Sequence, residues 1–171
     1  MIIGCRDAKR GQQAADEINS QVINNGKVYF KQLDLASFES IRKFADEINR
    51  EEDAIDILIN NAGVAMLKND VRTNQGFEMN FGVNHLGHFL LTLLLLDKLK
   101  KSKSIARIIN VTGAIYIISK IQFDDINFDK NFNPIKTYAH SKLCNVLFTH
   151  ELAKRLGDTN IRVYAVHPGE K

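Results

Sequence analysis

AIDILINNAG, residues 54–63, joins a short apolar run to a polar turn closed by glycine. A run of that length bounded by turn residues predicts a strand buried on both faces, with its polar end open to a ligand. The same alternation recurs on either side. MIIGC (1–5) reads as a strand end. Asp7 to about Asn24 reads as a helix with Ala14, Ala15 and Ile18 on one face, and KVYFKQLDL (27–35) as a strand. Ser37 is placed to cap a helix through Ile48, with Glu39 and Glu47 along it. Beyond residue 63, Gln75–Lys100 reads as a long helix and ARIINVTG (106–113) as a strand. Ile121–Asn133 reads as an irregular acidic excursion, Lys136–Leu156 as a helix and IRVYAVHPG (161–169) as a last strand. Strands alternating with helices predict an α/β fold, a doubly wound parallel sheet with helices on both faces. The apolar runs DILI, RIINV and RVYAV fit burial on both sides. In such sheets ligands bind at the carboxyl ends of the strands, where NNAG, NVTG and HPG fall.

The 171 residues fit one domain, with 44% hydrophobic and 25% charged residues, as in an ordinary globular α/β protein. Lys plus Arg exceed Asp plus Glu by only 23 to 20, spread along the chain, which sets nucleic acid aside. Cys5 and Cys144 form no disulfide framework and no metal-ligand spacing, which fits a reducing compartment. The longest apolar run, FLLTLLLL (89–96), is far shorter than the roughly 20 residues that cross a bilayer, and predicts a helix buried on several faces. Met1 opens directly on a strand-like stretch, so no signal peptide is expected. His85, His88, His140, His150 and His167 lack metal spacing and read as packing or solvent-facing residues. Asp124, Asp125 and Asp129 read as a solvated loop, so no metal is expected.

TYAHSK (137–142) carries the candidate chemistry. Tyr138 and Lys142, at i and i+4, share a helix face. A phenol is a poor acid–base group at neutral pH unless a neighbouring cation favours its phenolate. Taken alone, the pair reads rather as the surface of an amphipathic helix.

Four segments in order, NNAG (60–63), NHLGHF (84–89), YAHSK (138–142) and HPG (167–169), resemble the short-chain dehydrogenase/reductase family. CRDAKRG, LDLAS, VNHLGHFLLTLLLL, FDDINF and YAHSKLCNVLFTHELAKRL resemble its retinol dehydrogenase-like branch most closely. The resemblance implies a Rossmann-like fold and interconversion of an alcohol and a carbonyl by hydride transfer with a nicotinamide cofactor. Tyr138 then exchanges the proton, and Lys142 assists it and holds the nicotinamide ribose. Asn84 supports the lysine through a proton-relay water. Asn60, Ala62 and Gly63 bring backbone against the cofactor, and Val111, Pro168 and Gly169 belong to its other binding segments. Asp34 and Leu35 bracket the adenine, although Asp34 also suits a helix cap. Arg6 stands where an acidic residue would bind the free ribose hydroxyls of NAD, and a guanidinium there suits a 2′-phosphate, which favours NADP over NAD. The implied substrate is a small lipophilic alcohol or carbonyl such as a retinoid. The implied setting is the cytoplasm, or the cytosolic face of a membrane, with room for peripheral membrane contact.

Three departures qualify that expectation. The family opens with a strand and a T-G-x-x-x-G-x-G turn whose amides face the pyrophosphate. Here Met1 falls where the family's second strand would be ending, so a partial domain is expected, without the central strand. The consequence is a gap, or a rearrangement, between strand 1–5 and strand 55–59. The chain also stops at HPGEK, before the family's substrate-covering segment and final strand. Finally, Asn110-Val111-Thr112-Gly113 puts Gly113 where the family carries a catalytic serine. Thr112 could supply a hydroxyl only if a bulge turned it inward, because successive strand residues face opposite ways. The alternative function is a catalytically inactive relative acting as a binding module.

Overall fold

The structure, a computed structural model, describes residues 1–22, 26–65, 67–68 and 70–169. Strand β1 (Ile2–Cys5) leads to helix α1 (Ala8–Gln21), whose Asp7 carboxylate accepts the Arg10 amide as an N-cap. The expected end of this helix near Asn24 lies outside the described residues. Strand β2 (Tyr29–Gln32) is followed by α2 (Phe38–Glu51), capped by Ser37 as its sequence predicts. Strand β3 (Ile57–Asn60) ends at the polar turn, and β4 (Ala106–Val111) and β5 (Ile161–Val166) complete the strands.

The long helix expected over 75–100 begins only at Met79. Gly76 takes a φ of +81° in a turn closed by Thr73 and Phe77, a conformation no helix continues. Glu78 then caps a short turn, α3 (Met79–Phe81), which runs through a π-helical segment (Gly82–Gly87) into α4 (His88–Lys100). Residues Met79–Lys100 are long and apolar enough to cross a membrane by length and composition, yet more than half of this helix is buried inside the fold. A 3-10 turn, Ala114–Ile118, precedes the acidic excursion, which holds a second, Phe123–Asp125, and whose Asp125 carboxylate gathers the amides of Asp129, Lys130 and Asn131. Asn133 caps α5 (Pro134–Arg155), with Pro134 in its first turn.

All strand pairs are parallel, but they form two sheets, β1-β2 and β3-β4-β5. Among the described residues β1 and β3 are not paired, which is the gap the sequence predicts. The two sheets nevertheless share a core. Ile41, Phe44, Ala45 and Ile48 of α2 pack with Leu91 and Leu95 of α4, and both Ile2 of β1 and Leu58 of β3 rest against them. A second cluster, Leu99, Ala106, Ile108, Leu152, Leu156 and Ile161, fastens α5 to β4 and β5.

Burial on both faces fails in all three strands of this sheet: the middle strand buries one face and leaves Arg107 exposed on the other, and the edge strands are more open still. Ala106, Ile108 and Asn110 of β4 are buried, whereas Ile57 and Ile59 of β3 are 51% and 58% exposed, and Tyr164 and Val166 of β5 are exposed as well. An apolar run reports that a strand is designed for burial, and not which neighbours cover it.

Candidate active site

Helix α5 carries a polar stripe at i+4 spacing, Thr137, Ser141, Asn145 and Thr149, and every member is buried. Lys142 lies beside this stripe, buried, with its Nζ donating to the carbonyl of Val111 at 3.1 Å at the end of β4. The same nitrogen sits 5.6 Å from the centre of the Tyr138 ring, within cation–π range, so the two side chains are on one side of the helix. Burial pulls the Lys142 ammonium below its ordinary pKa.

Asn84 is buried in the π-helical segment, and its side chain makes three hydrogen bonds. Its Oδ1 accepts the Val64 amide at 2.8 Å, and its Nδ2 donates to the Val64 carbonyl at 2.8 Å and to Ser141 Oγ at 3.0 Å. Thus Asn84 ties the turn after β3 to the helix bearing Tyr138 and Lys142. The segment cannot slide: a Cβ on Gly82 would sit 2.3 Å from Thr73 Cγ2, and one on Gly87 would sit 2.7 Å from the Leu35 carbonyl.

Gly63 borders the same place. A Cβ there would lie 2.9 Å from Asn84 Oδ1 and 4.0 Å from Lys142 Nζ, so the absent side chain leaves a small cradle in front of the ammonium. Across from it, a Cβ on Gly113 would stand 3.8 Å from the Tyr138 hydroxyl. The structure therefore brings together Tyr138, Lys142, Asn84, Gly63, Val111 and Gly113 at the carboxyl ends of β3 and β4.

Other predicted positions stand elsewhere or are used differently. Thr112 is a correction: it is buried, with both its amide and its hydroxyl donating to the Val166 carbonyl at 2.9 and 3.2 Å. Its hydroxyl is thus turned to strand β5 and not to Tyr138. The side chain of Asn60 points into the protein, donating to Thr92 Oγ1 at 2.9 Å and to Asn110 Oδ1 at 2.8 Å. Its Oδ1 is buried and has no hydrogen-bond partner among the described residues. Asp34 caps a tight turn by accepting the Ala36 amide, and the Leu35 side chain packs in the core. Arg6 is exposed just past β1, in the other sheet. Ala62 is exposed in the turn before Gly63, and Pro168 and Gly169 are exposed beyond β5.

Sequence reasoning missed Ser141 and Asn145, and it read His85 and His88 as packing or solvent-facing residues. The i+4 run of small polar residues on α5 was the available signal, since a solvent-facing stripe would be richer in charge. His88 and His140 are buried and held to about 4, and burial also lowers His85. All three rings are therefore neutral at pH 7.

A sequence profile of short chain dehydrogenases matches residues 1–170. The chain belongs to the short-chain dehydrogenase family. It is similar to retinol dehydrogenase 12 of Mus musculus, 50% identical over 169 residues that make up 99% of this chain and 52% of that protein. Retinol dehydrogenase 14 of Mus musculus is 45% identical over 178 residues, 99% of this chain and 53% of the relative. The chain thus spans about half the length of the curated relatives it matches. A solved structure from Mycobacterium paratuberculosis superposes with a TM-score of 0.85 at 36% identity, covering 99% of this chain and 59% of that one. The NADP complex of RhlG from Pseudomonas aeruginosa superposes at 0.77 with 23% identity, covering 99% and 62%, and shares the fold.

Proposed function

We propose that this chain is part of one Rossmann-like domain of an NADP(H)-dependent oxidoreductase that interconverts a lipophilic alcohol and its carbonyl, with a retinoid as the substrate type. One observation carries the reading: a buried lysine and a half-buried tyrosine share one helix face at the carboxyl ends of the strands, beside an open glycine. The retinol dehydrogenase relatives support the substrate class, and the NADP complex of RhlG supports the cofactor.

The residues present fit a nicotinamide cofactor, because Gly63 opens a cradle in front of Lys142 Nζ that any side chain would fill. When bound, such a cofactor supplies or accepts the hydride. The chain's own residues do the rest. Lys142, anchored by Val111, offers its remaining N–H donors to ribose hydroxyls. The Tyr138 hydroxyl gives a proton to the carbonyl oxygen in reduction and takes it back in oxidation. Asn84 fixes the turn carrying Gly63 against α5. Arg6 is an exposed guanidinium suited to a 2′-phosphate. The free thiols Cys5 and Cys144 suit the cytosol or the cytosolic face of a membrane.

Gly113 favours a second reading, a relative that binds the cofactor without turning over, because the position facing the Tyr138 hydroxyl has no donor of its own. Titrating the chain with NADPH and NADH, alongside Arg6→Ala, tests the cofactor assignment. The proposal expects NADPH to bind more tightly and Arg6→Ala to erase that preference. Equal affinities in the parent chain would refute the NADP assignment.

A further inference from the structure

We infer that Asn145 is a positioning residue of the Tyr138/Lys142 site, acting through the main-chain carbonyl of Asn84. The inference rests on the proposed site, but its test does not depend on turnover. In an α-helix the His88 amide would bond the carbonyl four residues earlier, that of Asn84. Here Asn84 lies in the π-helical segment, which interrupts that regular ladder, and the His88 amide that closes the segment donates to the His85 carbonyl. Asn84 is buried there, and a carbonyl left unpaired at such an interruption would be costly.

Two side chains take it up. Asn145 Nδ2 donates to it at 2.9 Å, and His88 Nδ1 lies 3.0 Å away. A carbonyl only accepts, so His88 carries its proton on Nδ1, and the Asn145 amide must face Asn84 with its NH2 group. The other end of that amide, Oδ1, then accepts from His85 Nδ1 at 3.1 Å. Asn145 is locked at both ends, and its own carbonyl accepts Thr149 Oγ1 at 2.7 Å.

The consequence reaches the site along bonded atoms. Holding the Asn84 carbonyl fixes the backbone from which the Asn84 carboxamide reaches Val64 and Ser141. Val64 follows Gly63, and Ser141 precedes Lys142. The Asn145 donor comes from α5 and the His88 donor from α4, so the Asn84 carbonyl ties its segment to the helix that carries the site.

The test compares Asn145→Asp, which keeps size and the acceptor for His85 but loses the donor, with Asn145→Leu, which loses both. The readouts are amide hydrogen exchange at Val64 and the side-chain amide resonance of Asn84. Thr137→Val, which removes a buried bond from the far end of the same stripe, is the control. Both Asn145 variants are expected to speed Val64 exchange about tenfold or more and to move the Asn84 resonance, with the amides of Ile41 and Ala45 in α2 unchanged. Thr137→Val is expected to leave Val64 at its parent rate. If Asn145→Leu fails to fold, Asn145→Asp decides alone. Unchanged Val64 exchange in Asn145→Asp, or acceleration shared equally by α2, would overturn the assignment.

Discussion

Gly113→Ser gives the sharpest expected gain. Gly113 has φ −170° and ψ 144°, extended backbone open to any residue, so a serine enters without backbone strain. Its Cβ would sit 3.8 Å from the Tyr138 hydroxyl, and among the described residues no other atom beyond its chain neighbours lies within 4 Å, so the change fills space and displaces nothing. Stability should move by no more than about 0.5 kcal/mol. From that Cβ the Oγ can swing within hydrogen-bond reach of the Tyr138 hydroxyl and of a carbonyl oxygen held beside it. A single preorganised donor on a developing oxyanion is worth about 10²–10³ in kcat. The expected gain in carbonyl reduction is therefore about 10²-fold in kcat with KM little changed, since the bond strengthens in the transition state. The assay follows NADPH absorbance with retinaldehyde, in parallel with Gly113→Ala, which adds the same Cβ without the hydroxyl. A gain of equal size in Gly113→Ala, or none in a folded Gly113→Ser, would refute the reasoning.

Three further outcomes follow from the structure. His88 and His140 are held to about 4 by burial, so as pH falls from 6.5 the unfolded chain takes up protons first and folding is penalised. Stability measured by denaturant titration should be full above pH 6.5 and decline toward pH 4, by roughly 3 kcal/mol per ring at most, and a flat profile would contradict the burial. Lys142→Met should leave stability unchanged or raise it by up to about 1 kcal/mol, because a desolvated ammonium with one protein bond is removed. It should also abolish any carbonyl reduction, and a folded variant with parental turnover would exclude Lys142 from the chemistry. Ile59→Lys, on the exposed edge strand β3, should raise solubility in a concentration series while shifting stability by less than about 0.5 kcal/mol. Unchanged aggregation would show that this edge is not the adhesive one.

Much of this architecture was legible because it rests on local rules. The Ser37 cap, the alternating strands and the Tyr138–Lys142 spacing all follow from periodicity and capping chemistry. The split between β1 and β3 was legible as well, since a parallel pair needs a specific neighbour. The misses are tertiary in origin. Gln75–Glu78 looked helical until Gly76 took a positive φ, a choice that glycine leaves open. The exposure of Ile57 and Ile59 depends on what covers β3, which an apolar run cannot report. Asn145 reads as an ordinary polar helix residue, and only the packing of α5 on the segment around Asn84 brings its amide to that carbonyl. Thr112 and Gly113 were separated by strand alternation alone, and Thr112 indeed bonds across to β5.

The central claim is that Tyr138 transfers the proton when a carbonyl is reduced at this site. Its most direct test is single-turnover reduction of retinaldehyde by NADPH, measured in the parent chain, in Gly113→Ser and in Gly113→Ser combined with Tyr138→Phe. The account predicts that removing the Tyr138 hydroxyl lowers the rate by about 10²–10⁴, as for loss of a general acid, while NADPH affinity is preserved. Turnover that survives Tyr138→Phe would contradict it, and so would tight NADPH binding with no turnover in either tyrosine-bearing chain.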